Sequence, residues 1–140
     1  MVVAVARFLA WLIAAACLCQ ITGASAASPG CATILPGRWA IKGDYNDFGR
    51  KIGIDHRYVF RPDHSLETVF KTRGGDGVWK EQASTGKWSV EQNARRNMCV
   101  LTMSGSGGGE TWGSFQTITI ERKSRFKVHA YDGLYMRRSN

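Results

Sequence analysis

Apolar and polar side chains alternate along short segments of this chain, and glycine, proline, asparagine and aspartate separate one segment from the next. In the stretch GRWAIKG, Trp39 and Ile41 lie on one face, and in IDHRYVF the even-numbered residues from Ile54 to Phe60 share a face. Alternation with a period of two is typical of a half-buried β-strand, because successive side chains point to opposite faces of a sheet. No segment after residue 36 has the 3.6-residue period of an amphipathic helix.

The pattern predicts an all-β fold with about eight strands in an antiparallel up-and-down meander. The segments follow one another without a long crossover, so we expect them to close into a small barrel, which leaves no free sheet edge. A two-sheet β-sandwich is the alternative architecture. We expect a break at residues 84–86, between the segments of Trp79 and Trp88, and loops at residues 43–53 and 104–113.

The first residues have the pattern of a cleaved secretory signal. Arg7 precedes the apolar run FLAWLIAAACLC, and the small residues Ala24-Ser25-Ala26 follow it. This run is shorter than the roughly 20 apolar residues of a spanning helix, so we do not expect an integral membrane protein. The predicted organisation is a signal peptide at 1–26, a lead-in at 27–36 that contains Cys31, and one barrel domain at 37–140. We expect a bacterial exported protein, periplasmic or secreted.

The cysteines predict one disulfide. Cys17 and Cys19 fall in the predicted signal, which leaves Cys31 and Cys99. Two cysteines in an exported chain most simply bond to each other. A metal site is the alternative, but no histidine is near either cysteine in sequence, and no His-x-x-x-His or Cys-x-x-Cys motif occurs. We therefore expect no metal and no cofactor.

The chain is basic, with 19 Lys and Arg against 11 Asp and Glu. Removal of Arg7 with the signal leaves 18 basic and 11 acidic side chains, a net charge of +7. For an exported protein this charge indicates an anionic envelope component or a protein partner and not nucleic acid. The basic residues are dispersed, however, and many would be solvated positions on strands and turns.

No enzyme motif stands out. The chain has no Gly-x-Ser-x-Gly elbow, and the stretch GSGGGE lacks the lysine of a phosphate-binding loop. The histidines of the predicted domain, His56, His64 and His129, are far apart in sequence. We therefore expect no enzymatic activity, although a barrel can assemble a site from distant residues.

Glycine lies two residues before Trp39, Trp79 and Trp88. Glycine permits a bend or a close approach of backbones, and the tryptophan would then fill a barrel end. A Gly-x-Trp on the first strand of a small exported meander resembles the calycin group of lipocalins, fatty-acid-binding proteins and avidin-like proteins. The stretch YVFRPDHSLETVF is similar to a hairpin of small bacterial lipocalin-like domains. The resemblance implies a lipocalin- or avidin-like barrel that Gly37 and Trp39 close against a basic residue of the last strand, Arg137 or its neighbour Arg138.

Two hypotheses of function follow. The first is a carrier that binds or sequesters a small, mainly apolar or amphipathic ligand, whose head group, if anionic, would pair with His56 or a rim arginine. The candidate lining is Trp39, His56, Tyr58, Phe60, Phe70, Trp88, Trp112 and Phe115. The alternative is a barrel with a filled core that acts as an envelope interaction module or inhibitor through the loops at 43–53 and 104–113.

Overall fold

A computed structural model describes residues 30–93 and 97–140 of the chain. The predicted signal peptide at 1–26 lies outside the described residues. The described part contains one short helix and eight strands, which we number in chain order. Their bounds are α1 Cys31–Ile34, β1 Gly37–Asp47, β2 Arg50–Phe60, β3 Ser65–Arg73, β4 Trp79–Gln92, β5 Met98–Gly107, β6 Glu110–Arg122, β7 Arg125–Val128 and β8 Tyr135–Arg138.

The eight strands form one closed barrel. Each strand pairs antiparallel with the next along the chain, and β8 pairs with β1. The predicted all-β meander barrel is therefore confirmed, and the β-sandwich alternative is wrong because there is only one sheet in the described part of the chain. The short helix α1, which precedes β1, has no signal in the alternation pattern.

Two segments that we expected to be loops are arms of tight hairpins. The strands on either side of Phe48-Gly49 and of Gly108-Gly109 pair up to the turn itself. All four turn residues have positive φ, between 48° and 84°. Two successive positive-φ residues give a turn whose twist matches that of the strands, so pairing extends to its edges. The loop predictions at 43–53 and 104–113 are therefore wrong.

The predicted break at residues 84–86 is also absent, because β4 runs continuously past it. Gly86 lies opposite Gly105 on β5. A Cβ atom on Gly86 would overlap the carbonyl oxygen of Ser104. This glycine therefore permits the close approach of β4 and β5 and does not end a strand.

One end of the barrel, which we call the closed end, is filled around Trp39. The indole is fully buried, its Nε1–H donates to the Leu35 carbonyl oxygen at 2.7 Å, and its ring lies 4.8 Å from that of Phe126. The predicted disulfide, Cys31–Cys99, joins α1 to β5 beside it. A covalent link across 68 residues of sequence contributes roughly 4 kcal/mol in the chain-entropy model.

Arg138, and not Arg137, is the basic residue that closes this end. Its guanidinium lies 4.8 Å from the Trp39 ring and donates to the Ile34 carbonyl oxygen at 2.7 Å. Met136 is buried in the barrel, so alternation turns Arg137 outward and returns Arg138 to the inner side at the strand end. Of the two arginines that the sequence offered for this role, Arg138 therefore lies against Trp39, and Arg137 does not.

The barrel wall is completely paired only in the half near Trp39. The β1–β8 pairing covers only Trp39–Ile41, and β6 pairs with β7 only from Ile118 onward. In the other half, which we call the open half, residues 129–134 lie between the far parts of β1 and β6. Leu134 of this segment packs against Gly43, and Tyr131 contacts the ring of Tyr45 at 5.0 Å.

We predict that Gly86→Ala lowers the free energy of unfolding by about 2 kcal/mol, because the new methyl group forces β4 and β5 apart. Urea unfolding measures the change. Gly113→Ala on β6 is the matched control: its Cβ would meet only the Met103 carbonyl oxygen, at an ordinary 3.9 Å. Equal stabilities for the two variants would contradict the packing role of Gly86.

Candidate functional site

The open half of the barrel contains a cavity of about 310 Å³. Inward-facing positions of β2, β3, β5 and β6 surround it, and residues 129–134 complete its side. Its lining is His56, Tyr58, Phe70, Thr72, Met103, Trp112, Ser114, Gln116 and Tyr131. Because side chains of a strand alternate between the two faces, the strands that fill the closed end also supply this lining, two or more residues further along.

Three residues predicted to line the cavity belong instead to the filled core. Trp39, Phe60 and Trp88 are buried in the closed half. The Trp88 indole donates to the Arg61 carbonyl oxygen at 3.0 Å, and its ring meets the edge of Phe60 at 5.5 Å. Phe60 in turn stacks on Tyr58 at 5.6 Å. Tyr58 is thus both the last core residue and the floor of the cavity.

Phe115 is the one predicted lining residue that points away from the barrel. Its side chain is 79% exposed. Trp112, Ser114 and Gln116 line the cavity, and alternation then places Phe115 on the outer face. The prediction of Phe115 is wrong because two residues three positions apart cannot share one face of a regular strand.

Trp112 is held as a fixed aromatic wall. Its indole Nε1–H donates to the Ser84 hydroxyl at 2.8 Å, and that hydroxyl bonds the Thr68 hydroxyl at 2.7 Å. The ring meets the edge of Phe70 at 5.1 Å. The hydrogen bonds fix the side chain of Trp112 without using any polar group of the cavity lining.

His56 is the central polar group of the cavity and is only 8% exposed. Its Nδ1 lies 3.5 Å from the Tyr58 hydroxyl and its Nε2 lies 3.4 Å from the Thr72 hydroxyl. Burial lowers the pKa of His56 to about 4, against the smaller raising effect of the Asp55 carboxylate. The imidazole is therefore neutral at pH 7.

The remaining lining is also uncharged. Burial raises the pKa of Tyr58 and of Tyr131, so both phenols keep their protons at neutral pH. Among the described residues that line the cavity there is no lysine, arginine, aspartate or glutamate. Charged groups lie outside this interior, which presents hydroxyl, imidazole and amide groups among aromatic rings.

Gln116 and Ser114 place polar side chains on the cavity wall. Gln116 is only 9% exposed, yet within residues 30–93 and 97–140 neither its amide nor the Ser114 hydroxyl forms a hydrogen bond. Their polar atoms are not sealed off, because the one fully buried side-chain N or O atom without a partner among the described residues is Arg125 Nε. Both face the cavity, so a bound molecule or water can supply the partner.

The sequence missed five lining residues: Thr72, Met103, Ser114, Gln116 and Tyr131. The first four follow the alternation set by Phe70, Leu101 and Trp112, so the strand pattern contained their signal. Tyr131 comes from the segment between β7 and β8, for which no periodic pattern exists.

Comparison with known proteins gives no match: no family model, no curated protein and no solved structure matches the chain. Across the described ranges, no helix is long and apolar enough to cross a bilayer. The same residues contain no group of three or more His, Cys, Asp or Glu side chains placed to hold a metal ion.

We predict an acid-dependent loss of stability that His56 causes. In the unfolded chain its pKa is about 6.5, whereas the folded value is about 4, so the unfolded state binds the proton first as the pH falls. The contribution of the neutral His56 to the free energy of unfolding is complete above pH 6.5 and is lost between about pH 6.5 and 4. The loss amounts to about 2–3 kcal/mol.

Urea unfolding of the protein and of His56→Gln at pH 7 and pH 4.5 measures this effect. The variant should lose less stability on acidification, while His129→Gln, on the outer face, should behave as the unmodified protein does. A parallel loss in all three proteins would contradict the burial of a neutral His56.

Proposed function

We propose that the protein is an exported, lipocalin-like barrel that binds a small, mainly apolar ligand in the cavity of its open half, and that the part of the ligand inside the cavity carries no charge. The observation that supports this proposal is the chemical composition of the cavity lining. Fixed aromatic rings surround polar groups that are neutral, and two of them, Gln116 and Ser114, have no partner within the described part of the protein.

The dimensions limit the ligand. A volume of about 310 Å³ lies at the lower end of the range of small-molecule sites, about 300–1,000 Å³. Tyr58 lies at the inner end of the cavity. The ring of Phe70 on the side wall makes edge-to-face contacts with the rings of Tyr58 and Trp112. These rings favour one short alkyl chain or a single ring system over a long folded lipid.

The chemistry of the lining excludes a charged head group inside the cavity. A carboxylate that entered would lose its hydration and find no cation among the lining residues. His56 does not supply one, because its pKa near 4 leaves it neutral. In place of the expected pairing of an anionic head with His56, we expect hydrogen bonds between Gln116 or Ser114 and a hydroxyl, carbonyl or amide group of the ligand.

Export is part of the proposal. The disulfide between Cys31 and Cys99 supports an oxidising compartment, where such bonds persist. The pattern of residues 1–26 supports a route to that compartment.

A second candidate function is interaction with another protein through the hairpin tips. Phe48 favours it: the side chain is fully exposed at the β1–β2 turn, and its φ of 48° is unusual for a bulky residue. The cavity in the open half does not fit the filled barrel that this alternative assumed.

We predict that 1-octanol quenches tryptophan fluorescence saturably, with a Kd on the order of 0.1 mM, when it is added to protein purified with its disulfide intact. Octanoate and octylamine, of equal chain length but charged at pH 7.5, should bind about tenfold more weakly or not at all. Trp112→Phe should remove most of the response and retain binding by calorimetry.

Two further variants locate the ligand. Gln116→Leu should weaken octanol binding about fivefold, since one hydrogen bond is lost. Phe115→Leu, the neighbouring change on the outer face, should leave the affinity unchanged. Equal binding of all three octyl compounds, or no binding of any, would contradict the proposal.

A further inference from the structure

The ion pairs of the barrel are concentrated on one side. Seven ion pairs occur among the described residues, and six of them join residues between Asp44 and Glu81, on β1 to β4 and their turns. The seventh joins Arg125 to Glu121 at 2.6 Å. The outer surface of β7 and β8 therefore has basic residues that are largely unneutralised.

These basic residues form a continuous outer surface, which we call the basic face: Arg38, Arg125, Lys127 and Arg137 around Tyr135. Phe126, Val128 and Met136 are buried, so the alternate positions of β7 and β8 point outward. The strand register defines the spacing of the face: Arg125 lies directly opposite Arg137, and Lys127 directly opposite Tyr135. Arg38 is two residues from Ala40, the β1 partner of Arg137.

The arrangement places two like charges directly opposite each other on the sheet. Like charges directly opposite each other on a sheet repel. Both guanidiniums lie over the Tyr135 ring, Arg125 at 4.9 Å and Arg137 at 5.9 Å, which brings the two charges together and does not separate them. Within the described ranges, Arg38, Lys127 and Arg137 form no ion pair, and the buried Nε of Arg125 has no acceptor.

We propose that the basic face binds an anionic polysaccharide. Guanidinium groups pair with carboxylate, phosphate or sulfate through two parallel hydrogen bonds, and neighbouring strands about 5 Å apart present several such groups along one direction. A linear polymer with repeated anionic groups matches this spacing, and Tyr135 offers a ring on which a sugar can pack.

An extended polymer fits the surface better than a membrane does. Side chains that insert into a bilayer are apolar or aromatic and exposed, and the large exposed ones among the described residues are Phe48, Val78, Trp79 and Phe115. None of them belongs to the basic face. The face also lies on the outside of the barrel, so the inference does not depend on the ligand of the cavity.

The test uses heparin as the probe of anionic polysaccharide binding. The double variant Lys127→Gln/Arg137→Gln removes two charges from the basic face. The matched control, Arg50→Gln/Lys51→Gln, removes two charges whose partners are Asp47 and Asp44. Both variants have the same net charge, so non-specific attraction changes equally in the two.

We expect the unmodified protein to bind heparin with an affinity that falls with salt, and the face variant to bind about tenfold more weakly. The control should stay within about twofold of the unmodified protein. Arg38→Gln, an independent single change on the face, should also weaken binding, and thermal unfolding checks that each variant is folded.

Two results would overturn the inference. If the affinity for heparin falls equally in the face variant and the control, net charge alone explains the binding. Binding to vesicles of phosphatidylglycerol and phosphatidylcholine, without binding to heparin, would assign the face to a membrane surface instead.

Discussion

The closure of one barrel end around Trp39 is the constraint on which the rest of the structure depends. The indole is held from three sides, by the Leu35 carbonyl oxygen, the Phe126 ring and the Arg138 guanidinium. Arg138 also bonds the carbonyl oxygen of Ile34, so the last strand holds the short helix in place. The disulfide attaches the same helix to β5. These contacts join α1, β1, β5, β7 and β8 at one end of the barrel.

The division of the interior follows from this closure. Near Trp39 the inward positions carry large apolar side chains that pack against each other, and the last of them, Tyr58, is the floor of the cavity. Beyond it the same strand faces carry histidine, threonine, serine and glutamine. Polar groups inside a barrel cost stability unless they are paired, and the cost is lower when they remain uncharged. An interior of this kind supports the proposed binding of an uncharged ligand.

Much of this could be predicted from the sequence, since a two-residue period shows both that strands form and which side chains share a face. The barrel and the lining role of residues near Phe70 follow from that period, whereas the disulfide follows from the two cysteines that remain in an exported chain. The strict period disagrees with Phe115 as a lining residue and with Arg137 as the closing residue: Trp112 faces the cavity and so Phe115 cannot, and Met136 faces the core and so Arg137 cannot. Gly86 has the sequence context of a turn, but its role depends on how closely β5 approaches β4. Tyr131 was not predictable from the period. It reaches the cavity because β7 and β8 are too short to complete the wall.

The most direct test of this account is an NMR titration with 1-octanol that follows the indole N–H signals of the tryptophans and the side-chain amide of Gln116. If the cavity of the open half is the binding site, the Trp112 and Gln116 signals shift together and saturate, while those of Trp39 and Trp88 in the filled half stay unchanged. Unchanged signals for Trp112 and Gln116, or equal shifts for all the tryptophans, would contradict the division of the barrel into a filled half and a ligand-binding half.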